Sequence, residues 1–152
     1  MGDDSAGIEY RSSVPEAGAF ARLFATTGWD PEGRLTVARA AAALARSWYA
    51  VAAYDDGRLV GIGRIVGDGV LHALLADVVV DPGYRHRGIG SEIVRRLAAE
   101  CREQDIMDTQ LFCARGKRPF YERLGFVARP DDAPGMELAA PPLAEMPGRP
   151  IR

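Results

Sequence analysis

The chain reads as an α/β protein built on a mixed sheet, with antiparallel strands first and a strand–helix–strand crossover after them. Three observations lead there. Apolar runs over 48–54, 59–66 and 71–80 are joined by the turn signals Asp55-Asp56-Gly57 and Gly67-Asp68-Gly69, so the strands fold back on one another. The third run closes on Val78-Val79-Val80 and passes through a glycine-bearing turn into a segment, 89–101, whose apolar residues recur at helical spacing. Another strand-like run, 109–114, follows, and a strand, a helix and a strand in succession form a crossover within one sheet.

The remaining elements follow from local chemistry. Residues 8–12 can form a short first strand. Pro15 suits the first turn of a helix carrying Phe20, Leu23 and Phe24, because that turn has no use for the missing N–H. The stretch from Gly28 to Gly33 ends it. Asp30 before Pro31 is expected to open a second helix, alanine-rich through Leu44. In 89–101, Ile89, Ile93, Val94, Leu97, Ala98 and Cys101 make one apolar stripe, and Glu92, Arg95, Arg96 and Glu100 make the wet side. A short helix over 118–124 stops at Gly125. Residues 126–129 and 136–138 are expected to pair as a last hairpin. The tail, 141–152, holds four prolines and few apolar residues and is expected to be disordered. With no internal repeat, 1–140 is expected to be a single domain.

Composition narrows the classes of function. A chain of 152 residues can bury a sizeable core. Its net charge of -2 gives no electrostatic case for a nucleic-acid partner. No apolar run reaches the ~18 residues a membrane span needs, so no membrane partner is expected. Met1-Gly2-Asp3-Asp4-Ser5 is acidic and unlike a signal peptide, and the two cysteines make neither a disulfide framework nor a metal-binding spacing. Cys101 and Cys113 are therefore expected to be buried thiols in a reducing cytoplasm, and no metal is expected.

The most informative segment is Asp81-Pro82-Gly83-Tyr84-Arg85-His86-Arg87-Gly88-Ile89-Gly90-Ser91. It lies where a buried strand ends and a helix begins. A helix N-terminus presents amides without intrahelical partners and a partial positive charge. Glycines let an anion approach those amides, arginines add fixed charge, and Ser91 can cap the first turn or donate its hydroxyl. The arrangement suits a phosphate or pyrophosphate. A dinucleotide-binding Rossmann unit fits poorly. Gly61-x-Gly63 lies mid-strand with no helix after it, and Gly88-x-Gly90 lacks the third glycine.

Arg85-His86-Arg87-Gly88-Ile89-Gly90 resembles the Arg/Gln-x-x-Gly-x-Gly/Ala acetyl-CoA signature of the GNAT superfamily of N-acetyltransferases. Pro119-Phe120-Tyr121-Glu122-Arg123-Leu124-Gly125-Phe126 is similar to the Phe-Tyr-x-x-x-Gly-Phe segment near that family's C-terminus. The likeness covers roughly 8–138. Asp77-Val78-Val79-Val80-Asp81 and Pro134-Gly135-Met136 are also similar to small-amine acetyltransferases, including plant serotonin-type enzymes.

The resemblance implies a V-shaped cleft beside the central strand that holds acetyl-CoA as co-substrate. The backbone of Val78, Val79 and Val80 would pair with the pantetheine arm. Amides of Arg87, Gly88, Ile89, Gly90 and Ser91 would hold the pyrophosphate, with Arg85 and His86 at its rim and Phe120 also on the cofactor. A backbone N–H near Val78 would polarise the thioester carbonyl.

It further implies direct attack by an amine on the thioester, with a small-molecule primary amine as acceptor and a homodimer as a possible assembly. Tyr121 matches the tyrosine that protonates the leaving thiolate in many relatives; a core aromatic packed on Phe120 is the plainer reading. Asp77, an acidic residue in the apolar run 74–80, is the candidate base acting through water; a structural carboxylate bound to backbone or to an arginine stands beside that reading. His72 reads as an exposed strand histidine. The family's asparagine about seven residues before the tyrosine is here Ala114. Phe24, Trp29, Trp48, Tyr49, Tyr54, Arg64 and Phe112 are candidates to line the acceptor side, though most such aromatics serve packing. An acyl-CoA sensor, an inactive relative and a protein or peptide N-acetyltransferase remain open alternatives.

Overall fold

A computed structural model describes residues 7–139. The tail 141–152, expected to be disordered, lies outside the described residues. The span expected to form one domain groups into two compact units, Met1–Leu111 and Phe112–Arg152.

The first unit carries a five-stranded sheet whose spatial order is its chain order: β1 (Ile8–Arg11), β2 (Tyr49–Asp55), β3 (Arg58–Gly67), β4 (His72–Val80) and β5 (Asp108–Leu111). The first four strands pair antiparallel, and β4 pairs β5 in parallel. The mixed sheet is the one the sequence predicts. Asp56 (φ 45°) and Gly57 (φ 78°) both lie in the left-handed region, as the tight β2–β3 hairpin requires. At the next hairpin the Asp68 carboxylate accepts from the amides of Val70, Leu71 and His72, so β4 starts at His72.

Helices pack on both faces. On one, α1 (Ala17–Ala25) and α2 (Val37–Ala45) bury Phe20, Leu23, Phe24, Ala40 and Leu44 against Ala52, Leu59, Ile62 and Val79. On the other lies α3 (Ile89–Glu103), whose buried residues Ile89, Ile93, Val94, Leu97, Ala98 and Cys101 are the whole of the predicted stripe. Its approach to the sheet is set by Gly61 and Gly63. A Cβ at Gly63 would stand 2.6 Å from Ile93 Cγ2 and 2.8 Å from Leu97 Cδ1. The mid-strand Gly-x-Gly thus lets a helix lie close to the sheet and has no phosphate role.

Both early helices start later than the sequence reading has them. Pro15 precedes α1; Glu16 is its cap, accepting from the amides of Gly18 and Ala19, both at 2.7 Å. Asp30 does not open α2. Its carboxylate accepts from the amides of Arg34 (2.9 Å) and Leu35 (2.7 Å), which shapes a turn, and Thr36 caps the helix instead.

In the second unit, α4 (Arg118–Glu122) is the regular element among the described residues. Its aromatic residues pack locally: Phe120 on Tyr121 at 4.9 Å between ring centroids, and Tyr121 on Phe126 at 6.0 Å. The expected hairpin of 126–129 with 136–138 does not form, and both segments are irregular. Val127 and Leu138, which would give such a hairpin its buried side, are exposed. The strand expected over 109–114 ends at Leu111, so Cys113 is an exposed thiol and not a buried strand residue.

Candidate functional site

The site in the first unit begins with a fault in the sheet. The β3–β4 register runs from Ile62↔Val79 to Arg64↔Ala76, so Gly63 alone faces both Asp77 and Val78. This is a β-bulge, and its extra residue leaves one amide out of the ladder. Asp77 takes the left-handed conformation (φ 52°), which aspartate tolerates better than most residues. On the other side of β4, pairing with β5 runs from His72↔Asp108 only to Leu75↔Leu111. Among the described residues no strand pairs with that edge of β4 beyond Leu75. The sheet forks there, and the backbone of Val78, Val79 and Val80 lines the open arm. Val79 is buried under α1 and α2, whereas Val78 and Val80 are half-buried.

Asp77 is paired with Arg64. Its Oδ2 accepts from Arg64 Nε at 2.6 Å, and both side chains are largely shielded, 8% and 14% exposed. His72 is exposed, its Nδ1 3.4 Å from Asp108, at the far end of β4 from the bulge.

The turn after β4 is built by its own residues. The Asp81 carboxylate accepts from the Gly83 amide (2.8 Å) and from Arg58 Nη2 (2.8 Å), fixing a single 3₁₀ turn over Pro82–Tyr84. The Tyr84 hydroxyl donates to Asp55 at 2.7 Å, tying the turn to the β2–β3 hairpin. That acceptor, with partial burial, pushes the Tyr84 phenol above its ordinary range. The Arg87 guanidinium lies 5.0 Å from the centre of the Tyr84 ring. Arg85 and His86 are exposed, and His86 is left-handed (φ 62°).

Gly88 is the cap of α3. It has φ 78°, offers no side-chain bond to the helix, and a Cβ built there would meet nothing within 4 Å. The first hydrogen bond of the helix is from Glu92 N–H to the Gly88 carbonyl, so the amides of Ile89, Gly90 and Ser91 lie before the ladder begins. Ser91 is inside the helix and is not its cap. An open, side-chain-free N-terminus flanked by Arg85 and Arg87 has the shape and charge a diphosphate needs.

In the second unit, Tyr121 is half-buried between Phe120 and Phe126. Burial first, and then the neighbouring Cys113 thiol, push its phenol up to about 12. Ala114, where the family carries asparagine, contributes only its carbonyl, which accepts from the Lys117 amide at 3.0 Å as the chain turns into α4.

In the first unit, the aromatics suggested for the acceptor side fall in two groups: Phe24, Trp29 and Tyr54 share one core cluster, and Trp48 lies beside Tyr49 with ring centroids 6.3 Å apart. Phe24 is core, with Trp29 edge-on to it at 5.8 Å. Tyr49 and Tyr54 sit near opposite ends of β2, the first donating to Ser12 Oγ and the second beneath Arg11. Phe112 belongs to the second unit, where it lies against Gly135.

That Asp55, Arg58, Asp81 and Tyr84 brace the phosphate-type turn was missed by sequence reasoning, which read Asp55 only as a hairpin-turn residue. Asp81-Pro82-Gly83 does carry a turn signature, since an aspartate there bonds the amide two residues on. Arg64 carried a signal too: it and Asp77 are opposite charges in facing apolar strands.

Comparison with known proteins gives the family. Residues 46–128 match the family model described as "Acetyltransferase (GNAT) domain". The chain belongs to the GNAT acetyltransferases. Serotonin N-acetyltransferase 2, chloroplastic, of Oryza sativa subsp. japonica is 32% identical over 130 residues, 85% of this chain and 65% of that protein. Histone acetyltransferase TAP1 of Glycine max is 35% identical over 82 residues, 54% of this chain and 36% of that protein. The matches thus span between about a third and two-thirds of these curated relatives. Among solved structures, a GNAT family acetyltransferase of Streptococcus pneumoniae TIGR4 superposes with a TM-score of 0.74 at 26% identity, over 88% of this chain and 98% of that one. A probable acetyltransferase of Staphylococcus aureus gives 0.76 at 23% identity, over 88% and 99%, a likeness of fold alone.

Proposed function

We propose that this enzyme moves the acetyl group of acetyl-CoA to the primary amine of a small molecule, by direct attack with both substrates bound. The observation that carries the reading is the pairing of two features in one unit: the open edge of β4 at 78–80 and the uncovered N-terminus of α3 at Gly88. An extended arm ending in a diphosphate would satisfy both. Backbone groups of Val78, Val79 and Val80 would bond the pantetheine, and the amides from Arg87 to Ser91 would bond the diphosphate, with Arg85 and His86 beside it. Phe120 would add apolar contact.

The chemistry is balanced without a metal. The amine nitrogen attacks the thioester carbonyl, whose oxygen is bonded by the Val78 amide at the bulge. The C–N bond forms as the C–S bond breaks. The amine proton leaves through water to the Asp77 carboxylate. The Tyr121 phenol gives its proton to the departing sulfur, and the products are an acetamide and free CoA. A phenol held near 12 is protonated throughout the neutral range, which is the state an acid requires.

The match to the rice serotonin N-acetyltransferase favours a small amine over a protein lysine. The family model occupies 83 residues, 46–128, and only 24 residues follow it, so a match over 130 residues draws at least 23 from the first 45. Those 45 contain α1 and α2, the part outside the coenzyme-binding turn. The histone acetyltransferase match is no longer than the family model itself. Exposed Cys113 and buried Cys101 suit a reducing compartment such as the cytoplasm.

The test is release of free thiol from acetyl-CoA with a panel of arylalkylamines, aliphatic amines and a histone-tail peptide. Turnover with small amines and none with the peptide is expected. Turnover with the peptide alone would reassign the acceptor. No turnover with any acceptor, while calorimetry shows acetyl-CoA bound, would overturn the catalytic reading.

A further inference from the structure

Arg64 interrupts the otherwise apolar run 59–66 of β3, and its side chain reaches β4, α2 and the residue Ser47 just beyond that helix. Its Nε donates to Asp77 Oδ2 at 2.6 Å on the bulge of β4. Its Nη1 donates to the Ala43 carbonyl (3.3 Å) in the last turn of α2 and contacts Ser47 Oγ (3.3 Å) just beyond that helix. A guanidinium is suited to such a task, since it offers five donors in a fixed plane; an ammonium is a point charge and cannot reproduce that spread. The Ala43 carbonyl is also one of the helix's last acceptors, where a cation is favoured.

We infer that Arg64 is a positioning residue for acetyl transfer: it clamps the bulge of β4, through Asp77, to the C-terminal end of α2. The inference rests on the acetyltransferase reading above. The bulge decides where the Val78 amide sits, and Asp77 is its left-handed residue. A bulge steps out of the regular register of an antiparallel ladder. The Arg64 contact ties its left-handed residue to a helix. A shift of the bulge by an ångström would misplace the carbonyl-polarising amide and the Asp77 carboxylate together, without touching the turn at 85–91 that holds the diphosphate. Arg64 therefore acts chiefly on turnover, because the diphosphate contacts at 85–91 are untouched and only the pantetheine contact at Val78 moves with the bulge.

The experiment compares Arg64→Lys, Arg64→Gln and Ser47→Ala with the wild type by steady-state kinetics, acetyl-CoA calorimetry and hydrogen exchange. For Arg64→Lys, kcat is expected to fall about 10- to 100-fold, the scale of a small misplacement of reacting groups. The Kd for acetyl-CoA should stay within about twofold. Exchange should quicken at two places together, residues 76–78 and the end of α2 at 43–47. Ser47→Ala, the mildest change, should move both places in the same direction by less, which keeps the test decisive if an Arg64 variant fails to fold. Wild-type kcat in the Arg64 variants, or faster exchange confined to β3, would overturn the clamp. If the wild type itself shows no turnover, the acetyltransferase reading fails while the exchange pattern still decides whether Arg64 joins α2 to the bulge.

Discussion

Tyr121 shows how a single side chain can serve packing and chemistry together. It is wedged between Phe120 and Phe126, and the same burial that makes it a packed aromatic raises its phenol to about 12. The two readings left open by the sequence are therefore not rivals. Tyr121→Phe keeps the ring contacts and removes the proton. As the proposed acid it predicts a fall in kcat of about 10²- to 10⁴-fold with acetyl-CoA affinity retained, read by steady-state kinetics and calorimetry. The sign of its pH effect also follows. The phenol ionises near 10 in the unfolded chain and near 12 in the folded one, so the folded state loses relative stability as pH rises from about 10 to 12. Urea titrations across that window should show the loss in wild type and a smaller one in Tyr121→Phe. At Gly88 the left-handed backbone strains any ordinary side chain, although the space above it is open. Gly88→Asp adds a carboxylate where a diphosphate would sit, and acetyl-CoA affinity should drop by at least about tenfold by calorimetry.

At the scale of elements, the pairing of α3 with β3 carries most of the architecture around the site. The stripe from Ile89 to Cys101 meets a strand that has given up side chains at Gly61 and Gly63 to receive it. Gly63→Ala would force Ile93 or Leu97 to move and should lower unfolding stability by about 1–3 kcal/mol in a urea titration. A loss below about 0.5 kcal/mol would show that the helix can shift without cost. The bulge of β4 lies opposite the same glycine, so helix approach and strand irregularity meet at one register position. The helices of the other face show where local patterns mislead. Pro15 and Asp30 each look like a helix start. The capping was decided by Glu16 and Thr36, whose side chains accept from the first-turn amides. Asp30 is a good capping residue used to shape a turn.

For the whole molecule, binding of a ligand to the folded state alone must raise its stability. Acetyl-CoA at a hundred times its Kd should add about 2.7 kcal/mol, measured as a rise in Tm. Hydrogen exchange should slow at 78–80 and 87–91, both in the first unit. Protection confined to the second unit would contradict the proposed cradle. The family was legible from two short motifs because each is local: a turn between a strand and a helix, and a helix ending in glycine. The periodicity of 89–101 foretold every buried residue of α3. The last hairpin and the burial of Cys113 were misjudged for a shared reason, since an apolar or β-prone run says nothing about whether a strand is available to pair with it.

By itself the sequence determined the order of strands and helices as far as α4, the amphipathic face of α3, the glycine turn and the family, all of which depend on neighbours a few residues apart. Only the tertiary structure decided that Asp77 sits on a bulge, that Arg64 joins it to α2, that Tyr84 and Asp81 brace the turn from the hairpin, and that β4 and β5 part after Leu75. Those features depend on register and on side chains meeting across strands, and residues far apart along the chain carry no local trace of which partner they will find.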